Sequence, residues 1–447
     1  MREVGETRRL SELGLVSRRT ILKAGAGAAA GTGLAMTGGS HPAHAAIGNP
    51  VKAKANAIQL GQLTGPSQTG DLSVPYTDLA IPVQLSDGSL LLIGGDTYAG
   101  GLPGDSSADW RSPVALRSHS ALSAGESIVV DGAVADRPGH AKGLVPEGHD
   151  PVGPPPETPP DRRPQTTALP SDIFRVGDTL YMHLMRGVIY DTHHTDFWKS
   201  TDNGETWTYL RQWPGNAFLA NKDDNASGQF QQKTYAADTD PSDPYIYVMS
   251  TVFNRDKDSG LLLFRVLKSD LDKTDADAAD SGWGWRYAYQ GWGHKDGQWG
   301  WGNEPTSITD PRKWGEICFR AMEGKYALSW FQPTPVQSFA YADIRAMTFP
   351  LPTSDLFRTP EQTMLYFNPK NPASESSTKE LTHVFPNLYG GFIFPGSTFD
   401  NFHIAVSRWN PSGRYPTEKI TFDIGDHPVE AEYPNYAVTQ WRASLYS

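Results

Sequence analysis

The chain has 447 residues, a net charge of −11 and one cysteine, Cys318. That charge excludes a nucleic acid or an anionic membrane as an electrostatically attracted partner, and a lone cysteine excludes an internal disulfide. With 44 glycines, 35 prolines, 13 tryptophans and 18 tyrosines, the composition suits a turn-rich β protein whose aromatic surfaces can pack on the C–H faces of a neutral sugar.

At the N-terminus, Ser17-Arg18-Arg19-Thr20-Ile21-Leu22-Lys23 places a twin arginine before a mildly apolar Ala/Gly stretch over residues 24–39. Ala43-His44-Ala45 then offers a small-x-small cleavage site. This predicts a Tat export signal over residues 1–45 and a mature, monomeric, secreted or cell-envelope protein over 46–447. The apolar stretch is too short and weak for a permanent membrane anchor.

Residues 52–75 read as an irregular lead-in. Short β-forming runs bounded by Gly, Asp, Ser or Pro follow: Leu79-Ala80-Ile81-Pro82-Val83, Leu90-Leu91-Leu92-Ile93, Thr179-Leu180-Tyr181-Met182-His183-Leu184, Tyr245-Ile246-Tyr247-Val248-Met249 and Leu261-Leu262-Leu263-Phe264-Arg265-Val266. Between them, residues 137–170 read as a proline-rich loop insertion, because strands of the same style resume afterwards. Only 270–280 reads as helical, so the predicted class is all-β. Ser200-Thr201-Asp202-Asn203-Gly204-Glu205-Thr206-Trp207 resembles the Asp-box of sialidases and related propellers. In it Asp and Ser satisfy a hairpin turn, Gly supplies φ > 0 and Trp packs beneath, a role in architecture.

The chemistry concentrates early. Thr77-Asp78 opens a strand, Ser86-Asp87-Gly88-Ser89 is a turn, and the returning strand ends in Gly94-Gly95-Asp96-Thr97. A two-residue turn pairs Asp78 with Thr97 and puts the two aspartates on opposite faces. A bulge at Gly94-Gly95 shifts the pairing by one and makes Asp78 and Asp96 cross-strand neighbours. Two adjacent carboxylates are the minimum for glycoside hydrolysis, one protonating the leaving oxygen and the other activating water or attacking the anomeric carbon. The competing reading is a pair of turn-capping residues.

Tyr76-Thr77-Asp78-Leu79, Gly94-Gly95-Asp96-Thr97-Tyr98, Trp110-Arg111-Ser112-Pro113-Val114, Leu169-Pro170-Ser171-Asp172, the Asp-box, Trp314-Gly315-Glu316, Tyr389-Gly390-Gly391-Phe392 and Ser407-Arg408-Trp409-Asn410 occur in an order that resembles one family. It is the domain of unknown function 4185, now glycoside hydrolase family 183, whose characterised members are endo-D-arabinanases. The resemblance spans nearly the whole mature chain. It implies a five-bladed β-propeller, a polysaccharide substrate of the D-arabinan type, no cofactor, and Asp78 and Asp96 as the catalytic pair. The chain departs from the family pattern at Thr77 and Ala80 and in the length of 137–170.

Other candidates surround this pair. Trp110, Arg111, Asp172, His194, Glu316 and Tyr389 are expected to contact substrate, and Trp292 and Trp299, from a run that also includes Trp283, Trp285 and Trp301, to form sugar platforms. Glu316 is the best third carboxylate, bound to substrate, tuning the acid or paired with an arginine. His193-His194 with Asp191 and Asp196 reads as a polar rim or sugar contact rather than a metal site, since adjacent strand residues point oppositely. The expected stereochemical outcome is inversion. The alternatives are another propeller glycosidase, active on L-arabinan or sialidase-like, and a glycan-binding propeller that does not cleave.

Overall fold

A computed structural model describes residues 57–100, 109–146, 168–188, 191–214, 229–237, 242–255, 257–280, 288–333, 342–367, 387–409, 417–424, 427–434 and 436–445. The predicted signal, Trp283, Trp285 and most of the proline-rich segment lie outside them. Five antiparallel sheets of four or five strands dominate the described residues. From the first strand outward, sheet I holds Ile81–Gln84, Leu90–Gly94, Val114–Ser118 and Gly132–Ala133. Sheet II holds Ala168–Val176, Thr179–Val188, Asp191–Ser200 and Thr208–Pro214. Sheet III has Gln232–Ala236, Tyr245–Thr251, Leu262–Leu267, Tyr289–Lys295 and Gln298–Trp301. Sheet IV has Ile317–Met322, Lys325–Pro333, Ala342–Phe349 and Gln362–Phe367. Sheet V has Leu388–Ile393, Phe402–Arg408, Ala437–Ala443 and, outermost, Ile58–Gln62.

The first strands follow one another in a cycle, I against II, II against III, III against IV, IV against V and V against I. Hydrogen bonds tie each neighbouring pair of sheets. Ser112 Oγ donates to the Ala168 carbonyl (2.8 Å), Ser171 Oγ to that of Lys233 (2.7 Å) and the Phe319 N–H to Thr234 Oγ1 (2.8 Å). The Ile393 N–H meets Cys318 Sγ (3.3 Å), and the Leu79 N–H donates to Ser407 Oγ (2.8 Å), returning the cycle to its start. A cavity of about 240 Å³ at the far ends of the first strands is lined from every sheet, by Gln84, Arg175, Ala237, Met322 and Gly396 among others. The opposite ends, where the first strands begin, form what we call the mouth.

The all-β class is as the sequence predicts, with informative differences. The lead-in is not irregular: it carries the strand Ile58–Gln62, which pairs with Ala437–Ala443 and joins an early and a late segment in one sheet, and a helical turn at Pro66–Thr69. The helical segment is shorter than 270–280, a 3-10 turn at Lys268–Asp270 and a helix at Asp275–Asp280. Ala168, Leu169 and Pro170, placed in the loop insertion by the sequence, already belong to the first strand of sheet II. The Asp-box forms its turn as expected. Ser200 Oγ donates to Asp202 Oδ1 (2.7 Å), the Thr206 N–H to the same oxygen (2.9 Å), and Trp207 Nε1 to the Gly204 carbonyl (3.1 Å). Arg117 of sheet I donates to the Asn203 carbonyl (2.8 Å), so the box also clamps sheet II to sheet I.

Candidate active site

The hairpin that presents the aspartates is built differently from the expectation. Leu85 and Ser89 close a three-residue turn, Ser86-Asp87-Gly88, through the Leu85 N–H to the Ser89 carbonyl (2.8 Å). Gly88 takes φ 88° there, a left-handed position that glycine occupies without steric cost. The extra residue sits in the turn, so no bulge at Gly94-Gly95 is needed. Ile81 pairs with Ile93 in sheet I, and the same register continues past the kink, where Thr77 pairs with Thr97 and Tyr76 with Tyr98. Extended by one residue, it sets Asp78 opposite Asp96.

Between the two pairings the backbone turns sharply. Leu79 and Ala80 both have positive φ, 65° and 49°, so the predicted strand beginning at Leu79 starts at Ile81. Such strain in non-glycine residues persists only where the surroundings fix it. Here the Asp78 carbonyl accepts from the N–H groups of Ala80 (2.9 Å) and Gly95 (3.1 Å) while the Leu79 N–H is held by Ser407. The glycine pair serves a close approach. A Cβ on Gly95 would lie 2.3 Å from Asp78 Oδ1, and one on Gly94 2.7 Å from Thr77 Oγ1. Thr77 and Thr97 hydroxyls join at 2.7 Å across the strands.

Asp78 is fully buried and Asp96 nearly so. Tyr389 and Tyr436 both donate to Asp78 Oδ2, at 3.1 and 2.9 Å, and Trp110 Nε1 donates to Asp96 Oδ1 at 3.1 Å. The two carboxylates belong to one aromatic cluster. Tyr98 stacks on Trp110 (5.8 Å between centroids) and meets Tyr436 edge-on (5.8 Å), which in turn holds Asp78. Beyond Tyr389 the network reaches a third carboxylate. Arg255 lies over the Tyr389 ring (5.5 Å) and forms a buried ion pair with Glu316, whose other oxygen faces the Gly390 N–H at 3.4 Å. Asp78, Glu316 and Tyr389 therefore converge from sheets I, IV and V, each at the start of its first strand.

The remaining predicted residues separate from this group. The carboxylate of Asp172 accepts a bidentate pair from Arg320 (2.6 and 2.8 Å), the Thr234 hydroxyl (2.8 Å) and the N–H groups of Ile173 and Tyr235 (2.8 and 2.7 Å). With both oxygens taken, it locks sheets II, III and IV together. Arg111 spends its guanidinium on the carbonyls of Ser73 and Ala141, which steadies the Trp110 segment. His194 is buried on the third strand of sheet II, 3.4 Å from Asp196, which Arg186 also holds at 2.6 Å. Trp292 and Trp299 lie on the two outermost strands of sheet III, away from the aspartate cluster. Sequence reasoning missed Tyr436, Arg255 and the role of Ser407. Tyr436 lies 358 positions from the aspartate it holds, and no local pattern marks it.

The chain is similar to several known proteins. A protein of Mycolicibacterium smegmatis, described only as an uncharacterized 35.9 kDa protein in the asd 3′ region, is 25% identical over 375 residues, 82% of this chain and 98% of its own. Among solved structures, a candidate hydrolase of Bacteroides ovatus aligns over 86% of each chain at 12% identity and a TM-score of 0.47. An α-L-arabinofuranosidase of Podospora anserina aligns over 88% of this chain and 97% of its own, at 11% identity and a TM-score of 0.43. A family model matches residues 64–442, and the chain belongs to that family, described as a domain of unknown function, DUF4185.

Proposed function

We propose that this protein is an exported glycoside hydrolase of the family 183 type, a five-bladed propeller that cleaves internal arabinofuranosyl linkages of D-arabinan. The observation that carries the reading is the register that sets Asp78 opposite Asp96 at the mouth of the strand cycle, both held by aromatic donors in one cluster. The succession of five first strands supports the propeller. Export by the Tat pathway rests on the twin arginine of residues 17–23.

Two hydroxyl donors on one oxygen complement the ionised carboxylate, which suits Asp78 as general base. Asp96 is then the acid. In the inverting scheme the bond from the anomeric carbon to the leaving oxygen breaks as Asp96 gives that oxygen its proton. Water attacks the anomeric carbon from the other face and passes its proton to Asp78. Glu316 and Arg255 act as positioning residues through Tyr389, whose ring the guanidinium covers and whose hydroxyl holds Asp78.

The test is to incubate the mature protein with mycobacterial arabinogalactan, lipoarabinomannan, plant L-arabinan and sialosides, and to resolve the products by size. The reading predicts short oligosaccharides from the first two substrates. Cleavage of L-arabinan or sialosides alone, or of none, contradicts it.

A further inference from the structure

Trp292, Trp299 and Trp301 lie on the two outermost strands of sheet III, apart from the aspartates, and the fold gives them a deliberate construction. In the hairpin formed by Tyr289–Lys295 and Gln298–Trp301, Trp292 pairs with Trp301 and His294 with Trp299. Side chains alternate along a strand, so these four rings share one face. On the other face Gly291, Gly293 and Gly300 stand together, with Lys295 and Gln298 beside the turn. A Cβ on Gly293 would sit 1.7 Å from the Glu304 carbonyl oxygen, and one on Gly291 2.7 Å from that of Asn303. Residues 302–306 are thereby strapped across the back, through Asn303 Nδ2 to the Gly293 carbonyl (3.0 Å) and the Thr306 N–H to that of Trp292 (3.2 Å). The three glycines let this segment lie directly against the back of the hairpin.

That face is buttressed from within. Trp299 stacks on Trp292 (6.1 Å, 17° between planes), Trp292 leans on Trp301 (5.1 Å), and Trp301 is held by Tyr247 (5.9 Å) and by Arg265 above its ring (4.6 Å). The outermost ring nevertheless stays 41% exposed, as Phe357 across the groove stays 38% exposed. Together they wall a groove of about 310 Å³ between sheets III and IV, whose remaining lining includes Thr353, Ser354 and Asp355. None of its lining residues touches Asp78 or Asp96.

We infer that this groove is a second saccharide-binding site, which grips the polymer away from the mouth. A sugar unit is apolar on its C–H faces and polar at its hydroxyl rim, which matches flat aromatic walls beside hydroxyls and a carboxylate. The Asp355 carboxylate accepts from the Phe357 N–H (3.1 Å) and pairs with Arg358 (3.7 Å), which fixes the wall that faces Trp299. The ligand class rests on the polysaccharide reading above, whereas the site itself does not require that this protein cleave what it holds.

The experiment is native electrophoresis of the Asp78→Asn protein in gels containing soluble arabinogalactan, lipoarabinomannan, plant arabinan or xylan. At least one polymer should retard it. Adding Trp299→Ala or Phe357→Ala should weaken the retardation about tenfold in apparent Kd, the loss of roughly one stacking contact, while Trp299→Phe retains most of it. Thermal melting checks that each variant is folded. Retardation unchanged by both alanine variants, or no retardation by any polymer, overturns the inference. Product formation by the unmodified protein judges the hydrolase reading separately: a protein that is retarded through Trp299 and cuts nothing keeps this groove and loses that activity.

Discussion

Asp78 and Asp172 are both buried aspartates, and their surroundings differ. Asp172 is nine-tenths invisible to solvent and more, and its oxygens receive five donors from three sheets. Asp78 is equally buried, and two phenols at the mouth donate to its Oδ2. Removing one partner of a buried ion pair leaves the other charged and unmatched. Asp172→Ala should therefore cost about 3–5 kcal/mol of stability, read by denaturant unfolding, because Arg320 stays behind. A cost below about 1 kcal/mol, the range of an exposed pair, would contradict the locking role. The sequence put Asp78 in the catalytic pair and Asp172 among the substrate contacts, but it could not assign their partners, since neither Arg320 nor Tyr436 is a local neighbour of the aspartate it serves.

At the scale of the element, His403 shows what a strand interior does to a titrating group. It sits fully buried on Phe402–Arg408 of sheet V, with Gln440 Nε2 donating to its Nδ1 (2.9 Å). Burial, and then the positive charge of Arg442, lower its pKa from 6.5 to about 4. The folded protein binds this proton less readily than the unfolded chain. Stability from this residue is therefore complete above about pH 6.5, and falls by about 3 kcal/mol as the pH drops towards 4. Melting curves across that window should show the loss, and His403→Gln should flatten this share of it. An unchanged slope in the variant would contradict the burial argument. The early hairpin was legible at the same scale, because turn residues bound two short apolar runs. Its register was not, since Asp-Gly fits a two-residue turn as well as the three-residue turn that forms around Gly88. The Asp-box was legible because all its partners lie within a few residues of one another.

For the whole molecule, what the sequence hides is distance. The strand Ile58–Gln62 looks irregular alone and becomes a strand only against Ala437–Ala443. Tyr389 meets the early hairpin only because sheet V returns beside sheet I, and Arg255 and Glu316 join the group through Tyr389 and Gly390. Trp292 and Trp299, expected as sugar platforms, stand on the outermost strands of sheet III and wall a groove of their own. The central claim is that Asp78 and Asp96 together perform hydrolysis. Its most direct test is kcat on arabinogalactan-derived D-arabinan for Asp78→Asn and Asp96→Asn, with the melting temperature of each recorded in parallel. The account predicts a loss of at least about 10²–10⁴ in kcat for each variant, with the folded state preserved. Wild-type turnover in either variant, or a collapse of stability accounting for the lost rate, would contradict it.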